Sequence, residues 1–386
     1  MDIIKFNNPT AALRMQQGEI LNGLSSIMWI ERYRDAGEFK IEAPVSAGLR
    51  TKIPPGTFLS HLDTSELMVV ENHEIKDDIG KDPIITVTGR SFETILSQRI
   101  VGSNLSAVPN VGSPLADYDV PTGTTWVQAT NLINNHIGTA ALYNDDNAFP
   151  YVVVSYSGSL TQTSQSTVIG RKLKRGDLYK AVIDIIEDDN LGIKIFRPGT
   201  DSPIGSGPNT LIYFHSGVDR GNNVIFAYIA GEIVNADYLW SNKTLKNAAL
   251  CSGKWMETVI YSAQYGAAPA GKEYTRRMMF VDCTDIDSYL TGPPSTAGGM
   301  RQEFEQYMQD KGRAALRKQN EVALAKAEIT KNATKHIYRK DYDVGDLVRV
   351  AGDFNEWTTM RVSEYVEMED ETGESGYPTL VVETSN

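Results

Sequence analysis

Two stretches of this chain follow one plan, and that repetition constrains the fold more than any other feature of the sequence. Residues 54–89 read PPGTFLSHLDTSELMVVENHEIKDDIGKDPIITVTG, and residues 343–384 read DVGDLVRVAGDFNEWTTMRVSEYVEMEDETGESGYPTLVVET. In each, a turn glycine (Gly56, Gly345) opens a strand and a loop leads to a second alternating strand headed by a methionine (Met68, Met360). An acidic turn then closes on glycine (Gly80, Gly373) before a third strand returns. Leu59 matches Val348, Val70 matches Val362, and Val87 falls near Val382. Side chains alternate between the faces of a strand, and glycine supplies turn conformations that other residues resist. The pattern therefore predicts one three-stranded antiparallel meander at two distant places. Alternating strands draw on a small vocabulary, so the weight of the match lies in the shared order, the loop lengths and the methionine-led strand. Three such chains in a closed ring would present six nearly equivalent modules around one axis.

The first meander extends upstream. IMWIERY and EFKIEA also alternate, and DAGE, IPPG and DDIGKDP supply turn chemistry, which predicts a compact antiparallel unit ending near Gly102. Ser91 is expected to cap a short helix carrying Phe92, Ile95 and Leu96. From there to about residue 205 the pattern changes. Trp126, Ala129, Ile133 and Ile137 share one helical face, with Gly138 as the C-terminal cap. Asp177 caps a second helix bearing Leu178, Val182, Ile185 and Ile186, and the strand LGIKIFRP follows. SGSLTQTSQST reads as a loop. TLIYFHSG, NVIFAYIA and IVNADYLWSN are strands again, and a polar helix with Phe304, Met308, Ala315 and Leu324 is expected from about Met300 to Thr330.

Composition narrows the function. With 37 Lys plus Arg against 49 Asp plus Glu, the net charge is -12, which opposes binding nucleic acid by neutralising phosphates. The start, MDIIKFNNPT, lacks the basic and apolar segments of an export signal, and no stretch approaches the roughly 18 apolar residues of a membrane span. Cys251 and Cys283, the only cysteines, could pair, but two are too few for a disulfide framework or a four-cysteine zinc site, and buried thiols are expected.

In order, and over nearly the whole chain, WIERYRDAGEFKIEAP, IPPGTFL, VTGRSFETILSQR, YTRRMMFVDCTDID, DYDVGDLVRV and MRVSEY resemble baseplate hub or tail-tip hub proteins of tailed phages. The chain is most similar to the siphophage ReqiPepy6 Gp37-like tail proteins. The resemblance implies a mainly β fold with α/β insertions: two hub-type β-barrel domains, a small α/β domain and a long polar helix. The corresponding division is 1–103 for the first barrel, 104–205 for the α/β domain, and 206–386 for the second barrel with a helical segment inserted at about 285–334. It also implies a structural virion protein rather than an enzyme. This would be a homotrimer at the tail tip, made in the host bacterial cytoplasm and joining tail tube to tip. Its expected neighbours are distal tail or tail tube proteins, the tape measure protein and tip or receptor-binding proteins. Duplex DNA would pass through its channel during ejection without specific binding. Since the chain ends at Asn386, a receptor-binding module is expected on another protein.

Signals for chemistry are weak, and no catalytic, cofactor-binding or metal-binding residue is assigned. GSGPNT, Gly205 to Thr210, lacks the lysine of a phosphate-binding loop. HEIKD at His73 lacks the second histidine of a zinc-protease motif, so a surface histidine is expected. DDIGKD and NDDNAF lack the alternating spacing of a calcium loop. GRKLKRGD, Gly170 to Asp177, is the one dense basic run and reads as a helix-entry loop. Two alternatives stay open. A tail-associated glycan-degrading enzyme needs only two carboxylates at a fixed spacing. A carbohydrate-binding module would need Trp29, Trp126, Trp240, Trp255 or Trp357 along a groove, whereas buried core aromatics are expected for most. The turn carboxylates Asp77, Asp78, Glu369, Asp370 and Glu371 are expected to be solvated, and the bore of a ring to be acidic and small-polar so that DNA slides.

Overall fold

The computed structural model describes residues 1–7, 16–102, 118–137, 152–156, 171–197, 210–227, 230–241, 245–255, 259–266, 273–283, 308–309, 311–313, 315–316, 322–329, 335–351 and 357–382. In chain order the first strands are β1 (Ile3–Asn7), β2 (Gln16–Ile20), β3 (Ser26–Arg32) and β4 (Glu38–Pro44), then a helical turn α1 (Leu49–Lys52), then β5 (Phe58–His61), β6 (Met68–Lys76) and β7 (Ile84–Ser91). The middle holds β8 (Tyr118–Val120), helix α2 (Thr125–His136), β9 (Val152–Tyr156), β10 (Arg171–Leu173), helix α3 (Leu178–Ile186), β11 (Gly192–Phe196) and β12 (Thr210–His215). The last part holds β13 (Ile225–Ala227), β14 (Ile233–Ser241), β15 (Ala248–Trp255), β16 (Val259–Tyr265), β17 (Met278–Asp282), β18 (Val322–Ile329), β19 (Leu347–Ala351), β20 (Trp357–Asp370) and β21 (Gly373–Val382).

A 13-stranded mixed sheet dominates, in the order β14-β18-β21-β20-β3-β4-β7-β6-β5-β1-β2, with β19 on β20 and β13 on β19. Two expectations change here. Among the described residues the strands drawn as two separate barrels form one sheet whose path does not close. The cause is β20, which is 14 residues long and so reaches beyond its own module to pair with β3. The polar helix expected over residues 300–330 is helical at 308, 309, 311–313, 315 and 316, but Val322–Ile329 is strand β18. Its alanines, lysine and glutamate favour helix, yet pairing along β14 from Ile233↔Ile329 to Ser241↔Val322 overrides that preference.

The repetition seen in the sequence is a repetition of hydrogen bonds. Leu59 pairs with Met68 on β5 and β6, and Val348 pairs with Met360 on β19 and β20. The Gly56 amide donates to the Val70 carbonyl at 2.7 Å, and the Gly345 amide to the Val362 carbonyl at 2.8 Å. The turns before them match too: the Thr57 amide reaches the Pro54 carbonyl, and the Asp346 amide the Asp343 carbonyl, each at 3.1 Å. Both turns need a left-handed glycine, with φ of 87° at Gly56 and 95° at Gly345. Even the irregularity recurs, as a register shift after Val70 in one copy and after Val362 in the other. The third strands align with one correction. Ser91, not Val87, is the counterpart of Val382, because Met68 pairs with Ser91 and Met360 with Val382. The wider turn at 77–83, against 371–372 in the second copy, displaced the sequence match.

The duplication is larger than the meander. In the first copy the sheet continues β7-β4-β3, and in the second β21-β18-β14. Ile27 pairs with Ile41 in the one and Ile233 with Ile329 in the other, and all four are buried. Each five-stranded module has its own core: Trp29, Phe39, Ile41, Leu59, Met68 and Val87 in the first, and Val348, Val350, Met360, Val362, Ile329 and Leu380 in the second.

The two helices form as their sequences predict. Ala129, Ile133 and Ile137 are fully buried along α2, with Trp126 partly buried against the same core, while Gly138 lies outside the described residues. The Asp177 carboxylate accepts the Lys180 amide at 2.9 Å and caps α3, whose Leu178, Val182, Ile185 and Ile186 are fully buried. Their core also takes Ile4, Phe6, Phe58 and Phe92, so it is fused to the first module. Ser91 precedes a 3-10 turn, Phe92–Gln98, but its side chain makes no capping hydrogen bond. SGSLTQTSQST and NDDNAF lie outside the described residues.

Candidate functional site

The seam between the modules holds the densest chemistry in the described residues. β20 lies antiparallel to β3 from Glu364↔Arg32 to Glu369↔Ile27. This apposition brings charged side chains of the two modules into one interior, where each needs a partner. Glu31, only 2% exposed, accepts from the Arg339 guanidinium and the Tyr338 hydroxyl, at 2.8 and 2.7 Å, and also from the Thr64 hydroxyl. Arg339 donates its other amino group to Glu367 at 2.8 Å. Nearby, Arg32 bridges Glu364 and Glu38, each at 2.6 Å.

Electrostatics here are set by burial and pairing together. Burial disfavours the Glu31 carboxylate, but Arg339 and Lys194 outweigh it and hold the group below the usual carboxylate range. Burial likewise works against the Arg339 cation, and Glu31 prevails, raising it. Arg339 also has a left-handed φ of 64°, uncommon for a residue with a side chain, and its bonds to Glu31 and Glu367 fix it there. Tyr338 stacks on Tyr365 of β20 with ring centroids 3.7 Å apart, and Arg339 lies over the Tyr338 ring at 4.7 Å.

The seam also meets the α/β part. The Tyr33 hydroxyl, just after β3, lies 2.8 Å from the Asn190 carbonyl and 3.0 Å from that of His215. Lys194 on β11 pairs with Asp343 at 2.9 Å. Burial works against the Asp343 carboxylate, yet Lys194 holds it down to about 2. Two other buried carboxyls shift the opposite way: burial pushes Glu93 up to about 7, and burial with the charges of Glu31 and Glu93 raises Glu66 against the pull of Lys194 and Arg339. His61 and His215 are pushed down by burial, to about 4 and about 3. These groups make a structural ionic core.

Among the described residues the equivalent edge in the first module has no counterpart to β3. Beyond Val70, the outer edge of β6 is unpaired among the described residues, and so is the outer edge of β14. Val366 on β20 is 5% exposed, whereas its counterpart Glu74 is exposed, as is Ile75 at 44%. Ile84 and Ile79, on the same ribbon, are 46% and 106% exposed.

Residues singled out by sequence are dispersed. His73 lies on β6 with Nε2 2.9 Å from the Ile53 carbonyl. Lys174 and Arg175 are exposed between β10 and α3. Trp29 is fully buried, Trp126 is partly buried, and Trp357 is 58% exposed, so these three line no common groove. Cys251 and Cys283 are buried and reduced. Asp77, Asp78 and Glu371 are exposed, while Glu369 and Glu374 bind the Met1 amine. Among the described residues no three His, Cys, Asp or Glu side chains cluster closely enough to hold a metal, and no helix is long and apolar enough to cross a membrane. Sequence reading missed Arg339, Glu31 and Glu367. Only their membership of the two copies' flanks could have drawn attention to them.

Comparison with solved structures shows the same fold elsewhere. The tail protein from Neisseria meningitidis MC58 is similar with a TM-score of 0.53 and 10% identity, over 94% of this chain and 94% of that one. The 43 kDa tail protein of prophage MuSo2 from Shewanella oneidensis gives a TM-score of 0.50 and 12% identity, over 99% and 98%. No curated protein matches the sequence. The model of the Siphovirus ReqiPepy6 Gp37-like protein family matches residues 11–380, and the chain belongs to that family.

Proposed function

We propose that the chain is a non-enzymatic structural component of a phage tail, a homotrimeric hub at the tail tip that continues the tail tube and leaves a channel for DNA. The observation that carries this reading is the fusion of two equivalent five-stranded modules through one continuous sheet. A subunit built as a pair of like modules is the repeating unit of a ring with twice as many modules as chains. Three chains would give six such modules around one axis. The proposed division is 1–103, 104–205 and 206–386. Membership of a siphovirus family and likeness to tail proteins from Neisseria meningitidis and Shewanella oneidensis support the virion setting. The neighbours would be tail tube, tape measure and tip proteins. An acidic chain suits a bore through which duplex passes without being gripped.

The test is the mass of the purified chain, alone and with its tail partners, together with symmetry from particle averaging. Three copies with threefold symmetry are expected. A stable dimer or a twofold axis overturns the hub reading, and turnover of host-wall polysaccharide by the purified chain overturns its non-enzymatic part.

A further inference from the structure

We infer that the exposed edge of β6 at residues 72–76 is a docking surface for β14 of a second copy of this chain, in a register fixed by the internal seam. This rests on the ring reading and names the strands that would close it.

The internal seam supplies the template. Counting from Met360 as the counterpart of Met68, residues 364–369 of β20 correspond to residues 72–77 of the first module. The same count holds across the hairpins, where Glu364↔Thr379 matches Asn72↔Thr88. On the other side, Thr88 pairs with Lys40 and Thr379 with Glu328; Lys40 then pairs with Met28 and Glu328 with Asn235. Asn235 is therefore the counterpart of Met28. The pair Met368↔Met28 within one chain becomes Lys76↔Asn235 between two, and Glu367↔Trp29 becomes Ile75↔Ala236.

Three further observations point to a second copy as occupant. The β6 edge and the β14 edge are both unpaired among the described residues, and they are complementary because each is half of a pairing the chain already makes once. An exposed row of amides and carbonyls invites pairing unless something guards it, and this ribbon also exposes Ile75, Ile79 and Ile84. Third, the ions of the internal seam are not repeated. Where β20 and β3 carry Glu367 and Arg32, the corresponding positions carry Ile75 and Leu239; where they carry Tyr365 and Glu31, the positions carry His73 and Tyr238. One pair is acidic on both sides, because Val366↔Ile30 becomes Glu74↔Asp237, so the seam between chains would rest on backbone pairing and would tighten as the pH falls and those carboxylates are neutralised.

The experiment uses the full chain with Lys76→Cys and Asn235→Cys, oxidised by glutathione disulfide and run on a non-reducing gel. Met28→Cys with Met368→Cys serves as the intramolecular benchmark for the same register. A covalent species of three chains from the double variant, two chains from an equal mixture of the single variants, and one chain from either single variant alone are expected. A trimer by mass that cross-links at the benchmark but not at residues 76 and 235 overturns this seam while leaving the ring intact. A chain that stays monomeric at every concentration and in the presence of its tail partners overturns both.

Discussion

Met68 and Met360 occupy one position in two copies of the same strand: both are fully buried, and each pairs with the second residue of its preceding meander strand, Leu59 or Val348. Equivalence of place should bring equivalence of cost. Met68→Ala and Met360→Ala should each lose about 2–5 kcal/mol of stability, read as a shift of the urea midpoint. A change at one site that leaves stability untouched would show that its module is not packed around that methionine.

The matched glycines separate backbone strain from crowding. A Cβ at Gly56 would meet nothing within 4 Å, whereas at Gly345 it would lie 2.6 Å from the Tyr33 ring and 2.8 Å from the His215 ring. Both need positive φ. Gly56→Ala should therefore cost about 1–2 kcal/mol, for conformation alone. Gly345→Ala should cost clearly more by the same thermal or urea measurement, because Tyr33 and His215 must move.

The buried ions are a liability when broken singly. Arg339→Ala would leave Glu31 charged in the interior with the hydroxyls of Tyr338 and Thr64 as hydrogen-bond donors and only the more distant Lys194 as a cation, at a cost of about 3–5 kcal/mol. Adding Glu31→Gln should restore a substantial part of the loss. Additive losses in the double-mutant cycle would mean that the pair is not coupled.

Stability should also vary with pH through Glu93. In the fold it keeps its proton to about pH 7, while an unfolded glutamate releases it near pH 4.3. The folded state binds more protons between those limits, so stability falls as the pH rises through them, by up to about 1.4 kcal/mol per pH unit. His61 and His215, pushed down to about 4 and about 3, act oppositely below about pH 6.5. The difference between parent and Glu93→Gln isolates the carboxyl: the parent should gain stability relative to the variant steadily from pH 7 down to pH 5. A parallel pair of curves would remove Glu93 as the source.

How much of this was legible depended on the range of the interaction. The meander could be read because glycine turns and alternation are local, and the helices because Asp177 and the buried leucine, valine and isoleucines lie within a few turns of one another. The outer strands of the modules could not be matched by eye: SIMWIER and IVNADYLWS share little beyond the isoleucine that pairs with Ile41 or Ile329. β18 was read as helix because its partner strand, which decides the matter, lies more than eighty residues earlier. The ionic core was invisible for the same reason, since Glu31 and Arg339 are brought together only by the sheet that joins the copies.

The length of β20 carries an evolutionary consequence. One end of that strand answers to β19 and the other to β3, with the register shift after Val362 between them. Deleting a residue between the pairs Glu364↔Arg32 and Glu369↔Ile27 would put one end out of phase with the other, and the side chains on that end would exchange core for solvent. Such a strand can change its letters but not its count. Insertions and deletions that survive in descendants of this chain should therefore gather at hairpin tips, where residues 77–83 and 371–372 already differ in length between the two copies.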